Sequence, residues 1–149
     1  MNDCIKIIEG NIFDSKCQTV VNTINCVGVM GKGLALEFKK RYPDMFLKYK
    51  EHCSNGLIDV GKLWLYKSDN HWILNFPTKT TWKLPSKYEY VELGLQKFVD
   101  TYKEKGITSI AFPMLGCTNG KLDESKVLDI MMYYLMKCDI PIEIYRYKK

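Results

Sequence analysis

The sequence predicts an α/β three-layer sandwich, with helices on both faces of a mixed or mostly parallel sheet. Short apolar runs of strand length alternate along the chain with stretches whose apolar residues recur at helical spacing, the pattern of a sheet covered by helices. Three of the runs, ending near Asn25, Phe76 and Phe112, pass straight into loops of small or polar residues. Ligands of such folds sit at the carboxyl ends of strands, so three loops at one sheet end build one cleft. The 149 residues are the size of one domain, taken as residues 1–149. Roughly 70% of the unfolded surface is buried at such a length, so the core needs no staples.

Ile5 to Glu9 is a short apolar strand closed by the turn Gly10-Asn11. Val20 to Asn25 is a second strand, apolar enough at its start to be central. After the glycine loop that follows, Leu34, Phe38 and Tyr42 recur at helical spacing while Lys39, Lys40 and Arg41 face out. Pro43 disfavours helix at Tyr42 and starts a second helix, with Phe46, Tyr49 and Leu47 inside, that ends around Asn55-Gly56. Lys62–Tyr66 and His71–Phe76 form a hairpin, and Pro77 stops its second strand. Ser86 and Glu89 make a capping box for a helix whose buried stripe is Tyr88, Val91, Leu95, Phe98 and Tyr102 and which ends at Gly106. Ile107 to Phe112 is a strand, Asp123 caps a helix with Val127, Ile130 or Met131, and Tyr134 inward, and Ile142 to Arg146 is the last strand.

Composition excludes several classes. Hydrophobic residues are 46% and charged residues 26%, as in soluble globular proteins. No apolar run approaches the roughly 18 residues of a membrane span. The start MNDCIKIIEG has no apolar signal core, so the cytoplasm is the expected location. Six cysteines form no C-x-x-C pair, so no structural zinc is expected and the thiols stay reduced. The net charge of +5 permits a phosphate-bearing partner such as nucleic acid without demanding one. A monomer is expected, with no membrane partner.

The stretch Asn22–Arg41 carries the first ligand signal: a strand ending in Asn22 and Asn25, then Gly28, Gly31 and Gly33, then a helix. Such a turn exposes backbone N–H groups and admits an anion, most simply a phosphate, to the main chain. A Walker A loop fails here at Cys26 and Gly33, and a G-x-G-x-x-G pattern from Gly31 fails at Leu36. Asn22 and Asn25 need hydrogen-bond partners at a strand end, either in neighbouring loops or on ligand hydroxyls such as a ribose. Lys79 stands just beyond a strand in Asn75-Phe76-Pro77-Thr78-Lys79. An amine against an apolar wall loses its proton more readily and can attack a masked aldehyde or act as a base.

NTINCVGVMGKGLALEFKKRYPDMF, NFPTK followed by Trp82 and Pro85-Ser86, and PMLGC-x-NG-x-L together resemble the macrodomain family. Within it the chain is most similar to the branch of DNA ADP-ribosyl glycohydrolase antitoxins (DarG type), sister to the terminal ADP-ribose protein glycohydrolases. The resemblance runs from Gly10 to Tyr145 with its three blocks in order. It implies an α/β/α sandwich on a mixed sheet of six strands that binds ADP-ribose, with no cofactor and no metal. Implied contacts are Asn11 and Ile12 at the first turn, then Asn22, Asn25, Gly28, Val29, Met30, Gly31, Lys32 and Gly33 around the distal ribose and diphosphate. Thr78 lies beside Lys79, and Met114, Leu115, Gly116, Cys117, Thr118, Asn119 and Gly120 form a second phosphate loop on the opposite wall. Tyr145, or Tyr147, stacks on adenine, while Trp82, Lys83 and Lys87 contact nucleic acid.

By the same resemblance, Lys79 acts at the anomeric carbon of the distal ribose, by attacking it, stabilising the opened sugar or positioning water. The implied activity is hydrolytic removal of ADP-ribose from a modified macromolecule, above all thymidine-linked ADP-ribose on DNA. That would reverse the mark of a cognate ADP-ribosyltransferase toxin. Antitoxins of this branch carry a further toxin-binding domain. This chain ends soon after the macrodomain, so a stand-alone reversal enzyme is expected rather than direct neutralisation. The alternatives are an ADP-ribose-binding module without catalysis and a hydrolase of protein-linked ADP-ribose, ADP-ribose 1''-phosphate or O-acetyl-ADP-ribose. There are departures. Asn11 replaces the usual aspartate at the adenine turn and accepts a hydrogen bond more weakly. Thr118 and Lys121 replace glycines of the second loop, with strain expected at Thr118 if its φ is positive. Gly120 stands where protein-directed enzymes carry a catalytic aspartate.

Overall fold

The computed structural model describes residues 4–146. Six strands join one sheet in the order β1-β6-β5-β2-β4-β3. They are β1 (Ile5–Glu9), β2 (Thr19–Ile24), β3 (Trp64–Lys67), β4 (Trp72–Pro77), β5 (Ile110–Pro113) and β6 (Ile142–Arg146). Every neighbouring pair is parallel except the hairpin β3–β4, which is antiparallel. Helices α1 (Gly33–Arg41) and α2 (Pro43–Ser54), with the 3-10 turn Ile12–Asp14, cover one face. Helices α3 (Tyr88–Thr101) and α4 (Glu124–Leu135) cover the other. The mixed, mostly parallel sandwich is the one expected.

Period-two alternation divides the strands between two cores. Leu74 and Phe76 of β4 pack with Phe98 of α3 and Met131 of α4. Ile73, one residue out of phase, packs with Phe38 of α1 and Tyr49 of α2. Several boundaries and inward positions differ from those expected. The first turn of α2 buries Met45 and leaves Leu47 63% exposed, because Met45 and Tyr49, four residues apart, form the face that meets the sheet. Of the two residues offered in α4, Met131 is fully buried and Ile130 half-buried, as the expectation allowed. The fifth strand begins at Ile110 rather than Ile107. Gln18 takes over the residues between: its side chain accepts from Thr108 N–H at 2.8 Å and its N–H donates to Ser109 Oγ at 2.7 Å. The capping box is absent. The N-cap of α3 is Lys87, with no side-chain cap, and the Ser86 hydroxyl donates to the Thr78 carbonyl instead.

The site is positioned by a difference in pairing. β2 stays in register with β4 for six residues, Thr19 to Ile24. It pairs with β5 only at Thr19 and Val20. Beyond Val20 β2 and β5 no longer pair, and such a parting at the carboxyl edge is where sheets of this kind bind ligands in a crevice.

Gly94, inside α3, was not singled out by the sequence. An added Cβ would stand 2.3 Å from the buried Phe76 ring. Helix propensity alone favours Ala by about 1 kcal/mol, whereas overpacking a core costs about 1–3 kcal/mol. Gly94→Ala is therefore expected to lower the thermal midpoint; a raised midpoint would show that the Phe76 ring yields.

Candidate functional site

The crevice is walled by the loops after β2, β4 and β5. The first wall is held by Asn25. Its Nδ2 donates to the Val29 carbonyl at 2.8 Å, and its Oδ1 accepts from Val27 N–H at 3.1 Å and Val29 N–H at 3.4 Å. From below, the Tyr49 hydroxyl donates to the Asn25 carbonyl or Oδ1, at 2.8 and 2.7 Å. Burial, above all, pushes the Tyr49 phenol up, so it stays a donor. Asn25 thus spends its carboxamide on shaping the loop, whose Val27 and Val29 side chains are exposed.

Asn22 lies deeper and is fully buried. Its Nδ2 donates to Asn75 Oδ1 at 3.1 Å, and the Met30 sulfur lies 4.0 Å from it. Its Oδ1 has no hydrogen-bond partner. As placed, Asn22 and Met30 form the floor beneath the cleft and present no exposed side chain to a ligand, unlike the contact expected of them. Gly28 and Gly33 both have positive φ, 85° and 54°. A Cβ on Gly33 would stand 2.9 Å from Asn119 Nδ2, so the two glycine loops meet there. Gly31 and Lys32 complete the first loop, and Lys32 is the uncapped N-cap of α1. A helix N-terminus with free N–H groups favours an anion.

In the second wall, Leu115 is a core residue and Met114 is half-buried, which leaves the loop that follows to line the cleft. The Gly116 carbonyl accepts from Leu122 N–H at 3.0 Å, closing the loop. A Cβ at position 120 would stand 2.3 Å from that carbonyl oxygen, so Gly120 admits no side chain in this backbone. Thr118 and Asn119 are exposed. The strain expected at Thr118 falls on Lys121, the only non-glycine with positive φ among the described residues, at 65°. Asp123 caps α4, accepting from Lys126 N–H at 3.1 Å.

Lys79 leaves the sheet at the end of β4, beside the first loop. Thr78 N–H donates to the Ile24 carbonyl at 2.9 Å, and Cys26 N–H to the Thr80 carbonyl at 3.1 Å. Lys79 is half-buried, and burial first, then the ammonium groups of Lys121 and Lys32, hold its amine below the ordinary lysine value. The neighbouring thiols are poor nucleophiles: burial pushes Cys26 and Cys117 each up to about 11. Among the described residues no group of His, Cys, Asp or Glu is arranged to hold a metal ion, and no helix is long and apolar enough to cross a membrane.

At the first turn, Asn11 Oδ1 accepts from Phe13 N–H at 3.0 Å and caps the 3-10 turn. The Ile12 side chain is in the core, which leaves its main chain to meet a ligand. Tyr145 is only 9% exposed, and its hydroxyl donates to Glu143 at 3.0 Å. Its ring packs among Ile12, Phe38 and Tyr49, mostly buried. Tyr147 lies outside the described residues. On the outer rim, Trp82 is 54% exposed, with the Lys83 ammonium 5.4 Å from its ring; Lys87 is also exposed. Leu84, not singled out beforehand, is exposed beside them.

The fold and crevice are those of a macrodomain. The Macro domain family model matches residues 21–131, and the chain belongs to that family. Relatives at about 40% identity carry DarG names, and more distant structural neighbours include other macrodomains. The macrodomain of Mycobacterium tuberculosis DarG superposes with a TM-score of 0.91 at 38% identity, over 95% of this chain and 96% of that one. Thermosipho africanus DarTG in complex with ADP-ribose superposes with a TM-score of 0.92 at 40% identity, over 99% of this chain and 42% of that one. A DNA ADP-ribosyl transferase-DNA ADP-ribosyl glycohydrolase fusion protein of Thermosipho africanus is 39% identical over 95% of this chain. The chain spans 41% of that relative's length.

The Lys79 amine is expected to titrate below an ordinary lysine, and Lys121→Met to move its midpoint upward. Carbon-13 reductive methylation followed by NMR titration measures both. An unchanged midpoint in the variant would remove Lys121 from the cause.

Proposed function

We propose that this chain is an ADP-ribosyl glycohydrolase that releases ADP-ribose from thymidine on DNA. The observation that carries the reading is the amine of Lys79, held at a strand end between two glycine loops with its proton loosened. ADP-ribose lies along the crevice, its diphosphate on the backbone N–H groups of the two loops. Such peptide groups neutralise the charge without bulky cations. The distal ribose then faces Lys79.

The overall step is balanced by water alone. The bond between the anomeric carbon and the base breaks, the base nitrogen takes a proton, and the carbon takes hydroxide. Neutral Lys79 serves this chemistry as nucleophile, through an imine with the opened sugar that water cleaves, or as the base that takes a proton from water. Either role needs the deprotonated amine, so turnover rises with pH through the Lys79 midpoint. No cofactor enters. A module that only bound ADP-ribose would have no use for such an amine.

Two features favour DNA over protein as acceptor. By the family resemblance Gly120 stands where protein-directed enzymes carry an aspartate, and in this backbone it has no room for a side chain. The exposed Trp82, with Lys83 and Lys87, offers a stacking face and cations for a single strand. The reading places the chain in the cytoplasm, as a monomer, opposed to an ADP-ribosyltransferase that marks DNA.

Lys79→Ala is expected to keep ADP-ribose affinity in calorimetry and to lose turnover of ADP-ribosylated DNA; full turnover in this variant sinks the assignment. Wild type is offered, in parallel, protein ADP-ribosylated on glutamate. Release from DNA alone supports the proposal, and binding without release from either substrate supports the non-catalytic module. Trp82→Ala is expected to raise KM for the DNA substrate by roughly five- to a hundredfold, the worth of one stacked base. Affinity for free ADP-ribose should be unchanged.

A further inference from the structure

Ser86 is buried, 5% exposed, and none of its bonds serves the helix that follows it. Its hydroxyl donates to the carbonyl of Thr78, the residue before Lys79. Its own N–H donates to the Gly120 carbonyl at 3.0 Å. The side chain is wedged under the second loop: a Cβ on Gly120 would stand 2.8 Å from Ser86 Cβ, and one on Gly116 2.9 Å from Ser86 Oγ. One residue therefore joins the two walls of the crevice. On one side the tie continues through Thr78 N–H to the end of β2. On the other it reaches Gly120, next to Lys121. The bond to Thr78 spans eight residues, whereas those to Gly120 and from Thr78 to Ile24 join segments distant in sequence.

We propose that Ser86 is a positioning residue, which holds Lys79 in register with the 116–121 loop so that the amine and the diphosphate cradle act on one substrate at a fixed separation. This rests on Lys79 as the catalytic group. Without the hydroxyl, Thr78-Lys79 and the second loop move independently. The anion cradle survives because the Ser86 N–H still bonds Gly120. The amine, however, no longer has a fixed place relative to the anomeric carbon, and misplacement by about 1 Å costs on the order of a hundredfold in rate. The charged groups acting on Lys79 are Lys32 from the first loop and Lys121 from the second; the Cys26 thiol lies below, donating to the Lys79 carbonyl at 3.4 Å. Release of the tie lets Thr78-Lys79 drift from Lys121 and lets water reach the amine, and both changes restore its proton.

Ser86→Ala is therefore expected to lower kcat on ADP-ribosylated DNA by about ten- to a hundredfold, with ADP-ribose affinity within about twofold of wild type. The Lys79 midpoint should move upward, both in the pH–rate profile and in NMR titration of the methylated amine. Ser86→Cys keeps a weaker donor at similar size and should fall between Ala and wild type in both readouts, so it decides the matter if the alanine variant does not fold. Equal losses of affinity and kcat with an unmoved midpoint would reduce Ser86 to a prop for the loop and overturn the proposal, as would wild-type behaviour. The titration needs no turnover. If wild type proves inactive on DNA, the glycohydrolase reading fails, and the titration still decides whether Ser86 positions Lys79.

Discussion

The structure depends on unequal pairing at its central strand. β2 continues its ladder with β4 past the formal strand end, through Thr78 N–H to the Ile24 carbonyl, while its ladder with β5 lasts two residues. One side of β2 is thus sealed against β4, beyond whose end Lys79 lies; the other parts from β5 early. Strands held in register on both sides would leave no crevice. The covering helices preserve the asymmetry, since α3 and α4 fill the layer behind and α1 and α2 the layer in front.

Within the crevice, main chain and side chain divide the labour. In the proposed reading the loops offer peptide N–H groups, whose dipoles suit a diphosphate without mobile cations. Asn25 and Tyr49 side chains hold the first loop in shape, and the Ser86 main-chain N–H holds the second. The lysines then have a different task. Lys32 and Lys121 lower the proton affinity of Lys79 from two directions, and burial adds the larger part. Lys121 does so from a left-handed backbone conformation that costs on the order of 1 kcal/mol.

Much of this was legible along the chain. The period-two runs and the helical stripes gave the sandwich, because each records which face of an element is dry. Three small-residue loops after strands located the cleft, since parallel strands put those loops at one edge. The errors share a cause. Ser86 and Glu89 match a capping box in local sequence, yet the hydroxyl is claimed by a carbonyl eight residues back, across a loop. Asn22 looked like a ligand contact from its place at a strand end, but its side chain turns into the layer beneath α1 and α2. Leu47 looked buried because it is apolar; packing chose Met45.

What the sequence determined by itself is local: strand and helix periodicity, the glycines that allow two anion loops, and a lysine one residue past a strand end. Those are properties of a residue and its near neighbours in the chain. Tertiary structure alone decided the rest: that β2 and β5 part after two residues, that Lys121 and Lys32 approach Lys79, and that Ser86 spans both walls. Each is a relation between segments tens of residues apart, set by which side chains fill the space between sheet and helices. No local pattern encodes that filling.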